Sequence, residues 1–119
     1  MQKITLSDKF SLFNDHWSPK IIAELNGQHV KVAKLQGEFD WHRHDEEDEL
    51  FWIIKGELQM HLRDQVVHLG PGEIFVVPRG VEHKPVAEEE VHLVLFEPVG
   101  TRNTGTEVTD KTRETLERI

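Results

Sequence analysis

The 119-residue chain has no cysteine, which removes disulfides, thiolate metal sites and cysteine nucleophiles together. Any metal it holds is bound through nitrogen and oxygen. Basic residues are few: 14 Lys and Arg face 22 Asp and Glu, for a formal net charge of -8. That field repels a phosphate backbone or an anionic bilayer, so neither nucleic acid nor membrane is an expected partner. Long apolar runs are missing too. The opening MQKITLSDKFSLF lacks a signal-peptide core and no later segment has bilayer-spanning length, so the expected location is cytoplasmic. No repeat, low-complexity tract or linker divides the chain, and 37% apolar residues suffice for one core. Histidine, by contrast, is plentiful. The chain has eight, and imidazole is both the commonest metal ligand and the usual proton carrier near neutral pH.

Short β-rich runs recur at IIAEL, HVKVAKL, LFWIIK, ELQMHL, VVHL, EIFVVP and VHLVLFEP, each bounded by turn residues. This rhythm predicts an all-β sandwich, jelly roll or barrel. Asn26-Gly27 suits a two-residue type I′ turn and predicts a hairpin over residues 21 to 35. No long helix is expected, and the polar tail from Glu107 to Ile119 reads as a short helix or frayed end. Three stretches, Leu50 to Ile54, Ile74 to Val77 and Leu93 to Phe96, are apolar on both faces, so their outer face must be covered. Either the N-terminal hairpin folds over them or two copies pack there, and a homodimer is the expected state.

The chemistry concentrates in Trp41-His42-Arg43-His44-Asp45-Glu46-Glu47-Asp48-Glu49 and in Pro78-Arg79-Gly80-Val81-Glu82-His83. In extended backbone His42 and His44 share a face, roughly 6 to 7 Å apart along the chain, and converge on one ion. Glu49 heads an apolar strand on the face of Phe51 and Ile53, where an uncompensated carboxylate is costly and a cation removes the cost. Asp48 is its rival in position. His83 follows a Pro-x-Gly turn that aims a third imidazole at the same point. Three imidazoles and one carboxylate leave a divalent ion with a charge of about +1 and, if it is octahedral, open positions for water, substrate or dioxygen. Fe, Mn, Ni, Co, Cu and Zn all suit such donors.

In these two segments the chain resembles a small single-domain cupin. Gly37, His42, His44, Glu49 and Gly56 match the family's first motif, and Gly72, Pro78, Gly80 and His83 its second. Gly37 stands one residue closer to His42 than is usual, and Ala87 replaces the customary Asn. The nearest resemblance is to the small cupins called mannose-6-phosphate isomerase-like, a description of fold and motif. It implies a jelly-roll barrel with His42, His44, Glu49 and His83 as ligands to one divalent transition-metal ion per chain. The expected divisions are 1–36 for N-terminal strands and hairpin of the same domain, 37–100 for the core with both motifs, and 101–119 for a loop and tail.

The remaining residues carry weaker signals. His61 and His68 fall on an outer face, and His16 and His29 carry no ligand mark. His92 is either a packing histidine or a neighbour of the site, and it is the one side chain nameable as a general base. Arg43, Arg79 and Lys84 flank the ligands as ordinary turn residues. The expected function is a metalloenzyme acting on a small oxygenated molecule, of dioxygenase or isomerase type, and the alternative is a non-catalytic, metal-dependent small-ligand binder.

Overall fold

A computed structural model describes residues 1–119, in which one short helix and seven strands follow each other along the chain. They are α1 (Leu6–Phe10), β1 (Lys20–Leu25), β2 (Gln28–Glu38), β3 (Glu49–Lys55), β4 (Leu58–Leu62), β5 (Val66–Leu69), β6 (Ile74–Val77) and β7 (His83–Pro98). The strands form one antiparallel array in the order β1-β2-β7-β3-β6, with β4 on β7 and β5 on β4. The expected hairpin is present: Leu25 pairs with Gln28 across Asn26 and Gly27, at φ 49° and 75°. Both lie in the left-handed region that a type I′ turn requires.

β7 binds the fold together. Its 16 residues pair with β4 near His83 and with β2 and β3 further on. It runs much further back than its apolar second half suggests, because Lys84 to Ala87 pair with distant partners that leave no local pattern. Glu88 to Glu90, exposed in mid-strand, mark where β4 gives way to β3 along β7, while β2 pairs with β7 on both sides of them. Register shifts at Leu35/Gly37 and Ile53/Lys55 lie beside this crossing and bend the array. The curled sheet closes around Leu35, Phe51, Ile53, Met60, Leu93 and Leu95.

Part of the outer face is covered by α1 and the turn that follows it rather than by the hairpin. Phe10 and Phe13 pack on Val32 and Val94, with Ile54 and Ile119 beside them. Burying each ring stabilises by about 2 kcal/mol, more than a five-residue helix offers by itself. The tail is neither helical nor frayed. Ile21 N–H donates to Glu117 O at 2.8 Å, Ile119 N–H donates to Ile21 O at 3.1 Å, and Lys9 Nζ reaches Ile119 O at 2.8 Å. The tail thus blunts the exposed edge of β1. No helix is long and apolar enough to cross a membrane.

Candidate metal centre

Three local devices bring the four predicted ligands together. His42 leaves β2 in extended backbone and forms a two-way bridge with His83, the first residue of β7 (His42 N to His83 O 3.1 Å, His83 N to His42 O 2.9 Å). The turn before β7 is tied to the other imidazole segment by Gly80 N donating to His44 O at 2.8 Å. Glu49 opens β3 with its side chain inward and is only 4% exposed. Asp48, its rival, faces solvent and accepts the Arg79 backbone N–H at 2.8 Å. One ligand atom from each of His42, His44, Glu49 and His83 lies within 4.8 Å of the other three, and all four residues are buried.

The hydrogen bonds orient the rings. His42 Nδ1 donates to Asp40 O and His83 Nδ1 to Val81 O, each at 2.9 Å and each two residues back. A neutral ring that spends its N–H in this way presents a bare lone pair on Nε2. His83 Nε2 then faces Glu49 Oε1 at 3.2 Å, acceptor against acceptor unless a proton or cation lies between them. His44 Nε2 is 3.0 Å from the same oxygen but out of hydrogen-bonding alignment, so neither His44 ring nitrogen has a partner although the residue is 3% exposed. Buried polar atoms are nearly always paired, and an orphaned imidazole facing three other donors fits a metal ligand.

The electrostatics agree. Burial, with His83 nearby, pushes the His42 ring down to about 4, so it stays neutral, the form that binds metal. Burial alone would raise Glu49, but the neighbouring Glu97, His44 and His83 side chains outweigh it and hold the carboxyl well below the usual range.

Glu97 is the residue that the motifs do not mark. It is 2% exposed; burial first, and the charge of Glu49 second, push its carboxyl well above the ordinary range. Its Oε1 accepts from buried Lys31 Nζ at 2.6 Å, while Oε2 has no partner. Strand alternation could have found both: Glu97 continues the inward series Leu93, Leu95, and Lys31 the series Ala33, Leu35. With His42 and Glu49, Glu97 lines a pocket walled mainly by apolar side chains, among them Trp17, Phe39 and Phe51. Its cavity volume is about 40 Å³, room for roughly three waters.

The C-terminal loop, to which the sequence assigns no role, closes over His44. Thr106 N–H donates to Arg43 O at 3.0 Å, and Gly105 sits so close that a Cβ there would stand 1.9 Å from Arg43 O. The other candidates lie elsewhere. His92 stacks on Phe10 at 4.7 Å and bonds Glu90 at 2.9 Å, so it packs beneath α1 and is no base for this pocket. Arg43, Arg79 and Lys84 pair with Asp45, Asp48 and Glu38. His16 pairs with Glu90 and His29 with Glu24.

Known proteins share the fold that carries this site. Residues 28–98 match the family described as Cupin_2, cupin domain. The uncharacterized protein YdbB of Bacillus subtilis (strain 168) is 36% identical over 64 residues, and the match spans 53% of this chain and 57% of that protein. The chain thus covers little more than half the length of that curated relative. A crystal structure of a cupin-2 domain containing protein from Shewanella frigidimarina NCIMB 400 is 52% identical with a TM-score of 0.79, over 80% of this chain and 93% of that one. Protein NMB1881 from Neisseria meningitidis is 30% identical with a TM-score of 0.75, over 82% of this chain and 99% of that one.

Proposed function

The chain belongs to the cupin domain family, and from that premise we propose that it is a metalloenzyme acting on a small oxygenated molecule. His42, His44, Glu49 and His83 hold one divalent transition-metal ion. The observation that carries this reading is His44, buried with both ring nitrogens unpartnered beside three other ligand atoms. When bound, the ion supplies Lewis acidity and, for iron, manganese, nickel or copper, redox reactivity.

The protein's own residues do the rest. Asp40 O and Val81 O hold two imidazoles in the tautomer that presents Nε2. Trp17, Phe39 and Phe51 give the pocket apolar walls. Glu97, fixed by Lys31, offers its unpartnered Oε2 to a polar group of the bound molecule. The apolar walls and the two carboxyls favour a small, neutral molecule bearing hydroxyl or carbonyl oxygen. Metal-dependent turnover of such compounds, lost in His44→Ala, is the supporting result. Metal-dependent binding without turnover would move the protein to the ligand-binding class.

Part of the outer sheet face is left open. Trp52, Ile74 and Val76 are 41%, 59% and 49% exposed, and β6 is an edge strand. That apolar strip supports a homodimer packed through β3 and β6. Sedimentation of the wild type should give a dimer and Ile74→Lys, Val76→Lys a monomer; a monomeric wild type would refute the packing.

A further inference from the structure

On the far side of the Lys31–Glu97 pair from the metal pocket lies a second cavity, of about 180 Å³, between the first hairpin and the C-terminal tail. Its chemistry is opposite to that of the chain. In a protein of net charge -8, this cavity is lined by His29, Lys31, Arg102 and Arg113, with Glu114 as the only acid. Lys31, at 1% exposure, is its floor.

The guanidinium groups are only partly used. Arg102 Nε donates to Gly105 O at 2.8 Å, and its Nη1 stands 3.6 Å from Glu114. Arg113 Nη1 donates to Asp110 O and Thr112 O, at 3.3 and 3.2 Å. The Nη2 groups of both residues have no partner in the protein. His29 is buried at the wall, bonded to Glu24 at 2.9 Å. Two guanidinium groups with free donors, Arg102 half-buried and Arg113 open to solvent, line one cavity whose floor, Lys31, is held by Glu97 at 2.6 Å, and such a pair suits an oxyanion.

We propose that this cavity binds a small anionic molecule through a carboxylate or phosphate group held by Arg102 and Arg113 above Lys31. The site is separate from the metal ligands and does not depend on the metalloenzyme reading. The charges also fix the signs of two substitutions. Arg113→Gln removes a donor and a positive charge, whereas Glu114→Gln removes the one carboxylate that opposes the guest. A merely structural tail makes no such opposed prediction.

The test is calorimetric titration of the full chain, at low ionic strength, with malonate and with inorganic phosphate in separate experiments. We expect saturable binding of at least one probe with Kd on the order of 1 mM or tighter. Arg113→Gln should weaken it about tenfold, as for a lost hydrogen bond to a charged group, and Glu114→Gln should tighten it about threefold. Binding of malonate alone identifies a carboxylate guest and binding of phosphate alone a phosphorylated one. The same affinity in His42→Ala, His44→Ala separates this cavity from anions bound at a metal. Arg113→Gln keeps the backbone bond of residue 113 to Asn103, and an unchanged melting midpoint confirms that it folds. Absence of saturation below roughly 10 mM for both probes, or equal affinity in wild type and Arg113→Gln, overturns the proposal.

Discussion

Replacing Gly105 with Ala tests whether the C-terminal loop is part of the candidate site or a cover of no consequence. Gly105 has φ +60°, and a Cβ there would lie 1.9 Å from Arg43 O, 2.7 Å from Arg43 C and 3.3 Å from His44 Nδ1. The first two atoms are backbone, so no rotamer relieves the clash and the loop must lift. Lifting breaks the 3.0 Å bond from Thr106 N–H to Arg43 O, about 1 kcal/mol, on top of about 1 kcal/mol for alanine in left-handed backbone. The expected loss is therefore about 2 kcal/mol. Gly100→Ala is the control: its φ is +91° and nothing lies within 4 Å of its added methyl, so it bears only a conformational penalty of about 1 kcal/mol. Backbone preference alone ranks the pair the other way, because +60° is the easier angle for alanine. Urea unfolding with unchanged m-values gives the ordering, and metal dissociation from Gly105→Ala should be faster because His44 is uncovered. A Gly105→Ala protein at least as stable as Gly100→Ala would show that the loop is not pressed against Arg43.

Two further outcomes are expected. Lys31→Met leaves buried Glu97 without its cation and should cost about 3 kcal/mol, whereas Lys31→Met, Glu97→Leu should return to within ~1 kcal/mol of wild type by thermal melting; equal losses would show that the two residues do not act as a pair. In the metal-free protein, the unfolded His42 ring takes up a proton below pH 6.5 while the folded ring resists until about pH 4. Acid therefore favours the unfolded state, and this gap removes about 3 kcal/mol of stability across that window. Urea midpoints at pH 7 and pH 4.5 should fall less in His42→Phe than in wild type, and equal falls would contradict the assignment.

Much of the candidate centre was legible because its spacing is local. The Asn26-Gly27 turn, the alternate histidines 42 and 44, and Glu49 at the head of an apolar strand each follow from backbone geometry over a few residues. What was illegible depends on distant partners. His83 lies at the start of β7 because Leu62 and His42 bind its backbone, and neither is near it in sequence. The tail carries no periodic pattern, yet Glu117 and Ile119 bond to Ile21 across nearly the whole chain. α1, too short to stand alone, exists because Phe10 at its end and Phe13 just beyond find Val32 and Val94. Glu97 and Lys31 lie between these cases: alternation marks each as inward, but only their pairing makes two buried charges tolerable.

Whether His42, His44, Glu49 and His83 hold a metal ion is decided by elemental analysis of untagged protein beside a His42→Ala, His44→Ala variant. About one divalent transition-metal ion per wild-type chain is expected at neutral pH, and little or none in the variant. A wild type that takes up no metal after reconstitution, or a variant that retains as much as the wild type, would show that these four residues are not the ligands.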